Sequence, residues 1–336
     1  MTDHHELRLK LSPRTAKLRA RPSSLIHTVN PHVHSYVFST IPWEIGEWIS
    51  ESDHWLEIYH QSRVDYESRR LEELRSLLDS MGNPDDVIIM LFCDKYLPFF
   101  ENWLLSCEAN GIFVRNRTIC FALNEAAAEK ARSLGVKCFY LDPTIYFEGG
   151  HAGSFGDRKF GMTMVYKNAI IYDMLQLGVN VLFQDVDLIW FKDPLPWLQE
   201  RASDFDIQIM YDGINRMHLP YFANTGFIYI NNSEVNLAVF ETALRNSGMI
   251  LQTGSHQKPL NRIFAHFVLY NLLNIRVLPE DLFMNGHLFN LKNGINPRAG
   301  DWEEKAIVFH YSWTGTTSEK ILKLNKFGFN YVGISD

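Results

Sequence analysis

The chain has 336 residues, 46% of them apolar, 13% aromatic and 21% charged, which excludes a mostly disordered polypeptide. Its 32 basic and 39 acidic residues leave a formal charge of −7. That balance argues against a nucleic-acid binder, because phosphate-backbone binding draws on surplus Lys and Arg. Apolar runs such as residues 87–92 and 267–273 are core-sized, well short of the roughly 18 residues a membrane span needs.

Residues 1–24 carry Arg8, Lys10, Arg14, Lys17, Arg19 and Arg21 against Asp3 and Glu6, the pattern of a solvated basic tail. Residues 7–21 alternate Leu with cations and lack the apolar block of a signal peptide. From Asp53 to Met81 the texture is helical. Leu71, Leu74, Leu78 and Met81 recur at three- to four-residue spacing, and Gly82, Asn83 and Pro84 supply the stop. Residues 87–92 form a continuous apolar run, as expected of a strand buried on both faces of a parallel sheet. A helix with Phe99, Trp103, Leu104 and Cys107 on one side follows. Then come a strand at 118–123, an Ala-rich helix at 125–134 and a strand at 136–141. This β-α-β-α-β order predicts a parallel sheet with helical crossovers. Residues 142–161 read as a loop with five glycines that match neither a Walker loop nor a dinucleotide fingerprint. A helix over about 160–177 then leads to a strand at 179–183. Cys93, Cys107, Cys120 and Cys138 contain no C-x-x-C and are expected as buried, reduced thiols.

The chemistry concentrates at Asp185-Val186-Asp187, directly after an apolar strand. Residues two apart on a strand face the same way, so both carboxylates can point together at the sheet edge where α/β proteins bind ligands. Two adjacent carboxylates repel unless a cation joins them, and hard oxygen ligands suit Mg²⁺ or Mn²⁺. Tyr221 to Ile230 reads as a turn entering a strand, with Gly226 permitting close backbone approach and Asn224 able to bond hydroxyls. His310 closes the apolar run 306–309. Lys167, with Arg158 and Lys159 nearby, can offset negative charge on a leaving group, and Asp206 and Asp212 flank the apolar run 207–210.

Together, Asp185-Val186-Asp187 with its sequel Phe191-Lys192-Asp193-Pro194, the Asn224-Thr225-Gly226-Phe227 block and the late His310 resemble the nucleotide-diphospho-sugar transferases of glycosyltransferase family 77. The likeness runs from about Val87 to Trp313 and leaves residues 1–84 uncovered. It implies a GT-A-type, Rossmann-like α/β fold with a mixed, mainly parallel sheet flanked by helices. Residues 1–50 would be a basic, irregular tail, 51–84 a helical extension and 85–336 the catalytic domain. It further implies a metal-dependent, retaining glycosyltransferase that moves a sugar from a UDP-sugar to a hydroxyl of a glycan, glycoprotein or small acceptor. Asp185, Asp187 and His310 would hold Mn²⁺ or Mg²⁺. Lys167, Asn224, Thr225, Gly226, Asp212, Trp313 and Gly315 would meet the substrates. Relatives usually carry Asp-Gln near the sugar pocket; here His256-Gln257 stands, so Gln257 keeps its place near the reacting centre and His256 replaces the Asp.

Two rival readings differ in class. A haloacid dehalogenase-type phosphotransferase would want Thr or Val at position 189, where Ile189 stands. A catalytically silent sugar-nucleotide or glycan binder would keep the fold without turnover. The lack of an apolar anchor suggests a cytosolic enzyme, or a Golgi-lumenal one if an anchor has been trimmed away.

Overall fold

The computed structural model describes residues 56–141, 158–213, 222–287, 305–314 and 316–334, without the side chains of Arg158 and Lys159. The tail expected over 1–50, most of the glycine-bearing loop and Gly315 lie outside these residues. Ten strands are described: β1 (Asp86–Phe92), β2 (Thr118–Ala122), β3 (Lys137–Tyr140), β4 (Asn180–Gln184), β5 (Leu188–Trp190), β6 (Ile207–Tyr211), β7 (Ala223–Ile230), β8 (Ile275–Val277), β9 (Phe283–Asn285) and β10 (Val308–His310). Seven form one sheet in the order β3-β2-β1-β4-β7-β6-β8, and β5-β10-β9 form a smaller one. Strands β3, β2, β1 and β4 run parallel, β7 pairs antiparallel with both β4 and β6, and β8 is parallel to β6. The expected mixed, mainly parallel α/β sheet is therefore present.

Strand β1 shows why its sequence is apolar at every position. Val87, Ile89 and Leu91 enter one core, while Ile88, Met90 and Phe92 enter the other, so neither face meets water. Helices α1 (residues 56–65), α2 (Glu67–Ser80), α5 (Arg158–Gln176), α7 (Glu234–Arg245), α8 (Ser247–Thr253) and α9 (Gln257–Leu269) contribute to the first core. Helices α3 (Leu97–Ala109), α4 (Glu125–Ser133), α6 (Pro194–Gln199) and α10 (Thr317–Phe327) fill the second with the small sheet. Asn124 caps α4 by accepting from Ala127 N at 3.1 Å, and Ser233 caps α7 through Asn236 N at 3.1 Å. All four cysteines are free and buried, and burial pushes the Cys138 thiol up to about 12.

The expected helix over 53–81 is two helices with a turn at Tyr66. They are pinned to α5 by a buried cluster. Arg63 donates to both oxygens of Asp173 at 2.6 and 3.2 Å, and Arg70 Nε lies 2.9 Å from Asp173 Oδ2. Helix α5 begins at Arg158, so the last residues of the expected loop are already helical.

Two expectations near the site need correction. Strand β4 ends at Gln184, so Asp185 and Asp187 occupy the turn that carries the chain from the large sheet into β5. Asn224 to Phe227 do not precede a strand but lie within β7, where the register against β6 shifts between Ile209 and Met210. Ile209 pairs with Ile228 and Met210 with Asn224, so residues 225–227 are surplus on that side and turn toward β4.

Candidate active site

The turn after β4 is fixed by backbone bonds on both sides. Asp185 N donates to Gly226 O at 2.8 Å, and Tyr311 N donates to Asp187 O at 3.0 Å. Val186, between them, is buried and anchors the turn while the two carboxylates flank it. Register supplies the third member. His310 pairs with Leu188 across β10 and β5, which sets its ring beside Asp187. His310 Nε2 lies 3.4 Å from Asp187 Oδ1 and 3.9 Å from Asp185 Oδ2. One ligand atom from each of the three residues falls within 4.8 Å of the others.

Cations from opposite sides neutralise the carboxylates. Lys167 of α5 reaches Asp185 Oδ1 at 2.5 Å, and Lys320 of α10 pairs with Asp187 Oδ2. Burial alone would raise both acids. The Lys320 cation and His310 outweigh it and hold Asp187 well below the usual carboxylate range, while Lys167 leads the lowering of Asp185. Asp187 in turn overcomes the burial of Lys320 and raises its pKa. The sequence reading missed Lys320. Its signal is a cation in the first turn of a helix capped by Thr316, where the helix dipole favours acids.

Gly226 is the close-approach residue. A Cβ there would fall 2.5 Å from His310 Cε1, 2.7 Å from Asp185 Oδ2 and 3.0 Å from Asn224 Oδ1. The donor set of two carboxylates and one imidazole suits a divalent cation such as Mn²⁺ or Mg²⁺. His310 is nearly fully buried, and its Nδ1 has no hydrogen-bond partner among the described residues. The absence of a methyl at Gly226 leaves the space beside the triad open, so these residues fit a divalent cation.

A second hub lines the same cleft. Asp212, just beyond β6, accepts from Asn224 Nδ2 at 2.6 Å, Gln257 Nε2 at 2.8 Å and Trp313 Nε1 at 3.1 Å. Gln257 Oε1 accepts from Thr225 N at 3.3 Å, and Asn224 Oδ1 from Gly226 N at 2.8 Å, which links this hub to the triad. His256 precedes α9, and its Nδ1 lies 3.0 Å from Met164 Sδ. Burial, and then the Lys167 cation, lower its pKa to about 3, so the ring is neutral.

Triad, lysines, Asp212, Asn224, Thr225, Gly226, His256, Gln257 and Trp313 all line one cleft of about 650 Å³ at the ends of β1, β4 and β7. Apart from Asp206, every expected site residue whose side chain is described faces it; Gly315, and the side chains of Arg158 and Lys159, lie outside the described residues. Asp206 sits at the other end of β6, where its Oδ2 accepts from Asn274 N at 2.7 Å and fastens β8.

The family model for nucleotide-diphospho-sugar transferases matches residues 114–324, well over half of the chain. The chain is 24% identical over 271 residues to the beta-arabinofuranosyltransferase RAY1 of Arabidopsis thaliana, covering 74% of this chain and 48% of that protein. It is 21% identical over 268 residues to UDP-D-xylose:L-fucose alpha-1,3-D-xylosyltransferase 3 of the same plant, covering 72% and 66%. The chain thus spans about half to two thirds of the length of these relatives. Among solved structures it is similar to mouse xyloside xylosyltransferase 1, at 14% identity, 69% coverage of this chain, 100% of the other and a TM-score of 0.45. No helix among the described residues is long and apolar enough to cross a membrane. The cytosolic location expected from the sequence does not stand. It rested on a missing apolar span, which carries no information on compartment, and the match to plant xylosyl- and arabinofuranosyltransferases does not support it. The GT-A-type reading of the sheet accords with the family match, and the chain belongs to the nucleotide-diphospho-sugar transferase family.

Proposed function

We propose that the protein is a metal-dependent, retaining glycosyltransferase that moves a pentose, foremost xylose, from a UDP-sugar to a hydroxyl of a glycan or glycoprotein. The observation that carries this reading is the convergence of Asp185, Asp187 and His310 at the edge of a cleft flanked by two lysines. Relatives named as acting with UDP-D-xylose on L-fucose support the choice of donor and make a fucoside the first acceptor to try. Residues 85–336 would form the catalytic unit, with α1 and α2 as an extension clamped on it.

Asp185, Asp187 and His310 would hold Mn²⁺ or Mg²⁺, which supplies Lewis-acid charge to a departing phosphate when bound. Lys167 and Lys320 place two further positive charges beside the triad, where the leaving UDP would gain negative charge. Asp212 orients the sugar end of the cleft, its carboxylate fixed by Asn224, Gln257 and Trp313. The bonding pattern of the acids bears on stereochemistry. Among the described residues the cleft is lined by three carboxylates: Asp185 and Asp187 face cations, and Asp212 accepts three hydrogen bonds. Retention would then proceed without a glycosyl-enzyme, the acceptor oxygen attacking the anomeric carbon on the face from which the diphosphate leaves. The new C–O bond forms as the old one to phosphate breaks, and the hydroxyl proton passes to the leaving phosphate oxygen.

The test is calorimetry of UDP with the full chain in Mn²⁺ and in chelator, followed by turnover of UDP-xylose. Binding that needs the metal is expected. UDP affinity unchanged by chelator would overturn the metal assignment, and metal-dependent binding without turnover of any sugar nucleotide would favour the silent binder.

A further inference from the structure

The cleft also carries a large aromatic side chain that is not one of the triad. Trp313 is 49% exposed there, unusual for so large an apolar ring. Its backbone φ of 59° lies in the left-handed region, which suits Gly or Asn and disfavours a bulky side chain. Backbone strain of this kind persists only where the surroundings over-determine it. Here they do. The indole Nε1 donates to Asp212 Oδ1 at 3.1 Å, and the ring leans on His287 with centroids 5.1 Å apart. His287 is itself held, with Nδ1 3.1 Å from Glu280 Oε1 and its ring edge-on to Tyr211. Two glycines make the room. A Cβ on Gly213 would sit 2.4 Å from the His287 ring, and one on Gly286 would sit 1.8 Å from Ser312 O.

We infer that Trp313 is the platform for the acceptor sugar, taking the apolar C–H face of a pyranoside on its indole while a hydroxyl of the same ring reaches the Asp212–Gln257 pair. A pyranose presents one face of C–H groups with equatorial hydroxyls around the rim. The electron-rich face of an indole complements such a surface, and the rim hydroxyls need polar partners beside it. Asp212 and Gln257 are those partners, set in place by the same indole N–H. The inference rests on the glycosyltransferase reading above and adds the acceptor subsite to it. It also explains the tolerated strain: a residue better suited to this backbone would lack the face.

The experiment uses the full chain with Mn²⁺ and UDP-xylose, and compares wild type with Trp313→Asn and Trp313→Phe. The acceptor probes are methyl α-L-fucoside, methyl β-D-galactoside and methyl β-D-xyloside. Binding is read by saturation-transfer NMR on irradiating aromatic protons, and transfer by KM and kcat. Asn accepts a positive φ, so its melting temperature should equal or exceed that of wild type while the acceptor KM rises at least tenfold. Phe keeps an apolar face and loses only the N–H, so its acceptor KM should rise about threefold. A purely structural Trp would give the opposite coupling, with KM moving only as stability falls. If wild type turns over UDP-xylose but the Asn variant keeps its acceptor KM within twofold, the platform is refuted alone. The platform also fails, with the enzyme reading intact, if UDP binds and no pyranoside shows saturation transfer. A wild-type chain that binds neither UDP nor UDP-xylose would overturn the glycosyltransferase reading and this subsite with it.

Discussion

A single methyl group at position 226 tests the convergence of the triad. In Gly226→Ala the new Cβ would stand 2.5 Å from His310 Cε1 and 2.7 Å from Asp185 Oδ2. Non-bonded carbon atoms settle at about 3.5–4.0 Å, so about 1 Å of movement is required. Neither neighbour yields easily. His310 is buried, and Asp185 is tied by Lys167 through its side chain and by Gly226 O through its amide. Gly226 does not have a positive φ, so alanine adds no backbone strain and the effect is steric. A misplacement of about 1 Å at a working site costs on the order of 100-fold, and overpacking a dense interior costs about 1–3 kcal/mol. Turnover of UDP-xylose at saturating Mn²⁺ should therefore fall by about 100-fold, with denaturant unfolding showing the accompanying stability loss. If the variant turns over within about threefold of wild type, the close packing of triad and β7 is not what shapes the site.

Asp173→Asn should destabilise the fold by about 3–5 kcal/mol, because it leaves the Arg63 and Arg70 guanidinium groups buried without their counter-charge. Urea unfolding measures this, and a loss below about 1 kcal/mol would mean α1 and α2 are not held by that cluster. His256→Gln should flatten the pH dependence of stability on the acid side. The ring stays neutral in the fold down to about pH 3 but protonates near 6.5 when unfolded. The unfolded chain then binds the extra proton, so falling pH removes about 1.4 kcal/mol per unit below 6.5. Urea unfolding at pH 7 and pH 5 checks it, and equal slopes in wild type and variant would refute the assignment.

What the sequence disclosed follows from how local each signal is. Residues 87–92 announce a doubly buried strand because both faces of β1 are apolar, and Phe99, Trp103, Leu104 and Cys107 announce the buried stripe of α3. The acid pair at 185 and 187 stands out as charge set in an apolar stretch. Its true setting, a turn between two sheets, was hidden because the switch from β4 to β5 depends on the distant partners β7 and β10. Asn224 to Phe227 look like a turn since Gly and Asn are turn formers, yet the surplus residues of β7 absorb them into a strand. Asp206 and Asp212 look equivalent in the sequence, but they lie six residues apart across one strand, about 20 Å at strand rise, so only one can reach the cleft. Lys320 escaped because its partner is 133 residues away, a separation that leaves no periodic trace.

The separation between Asp187 and Lys320 also bears on the order in which the protein is made. Lys167 and Asp185 are only 18 residues apart, so that ion pair is available soon after β4 leaves the ribosome. Asp187 must wait for β10 and α10, which bring His310 and Lys320 from near the other end of the described chain. Until they dock, two acids share a turn with one cation between them, and their repulsion works against closing the pocket. A growing chain would therefore carry a cleft that attracts loose cations but has no third ligand to fix one. The full set of three ligand atoms and two cations would be assembled late and all at once, with the docking of the final described helix.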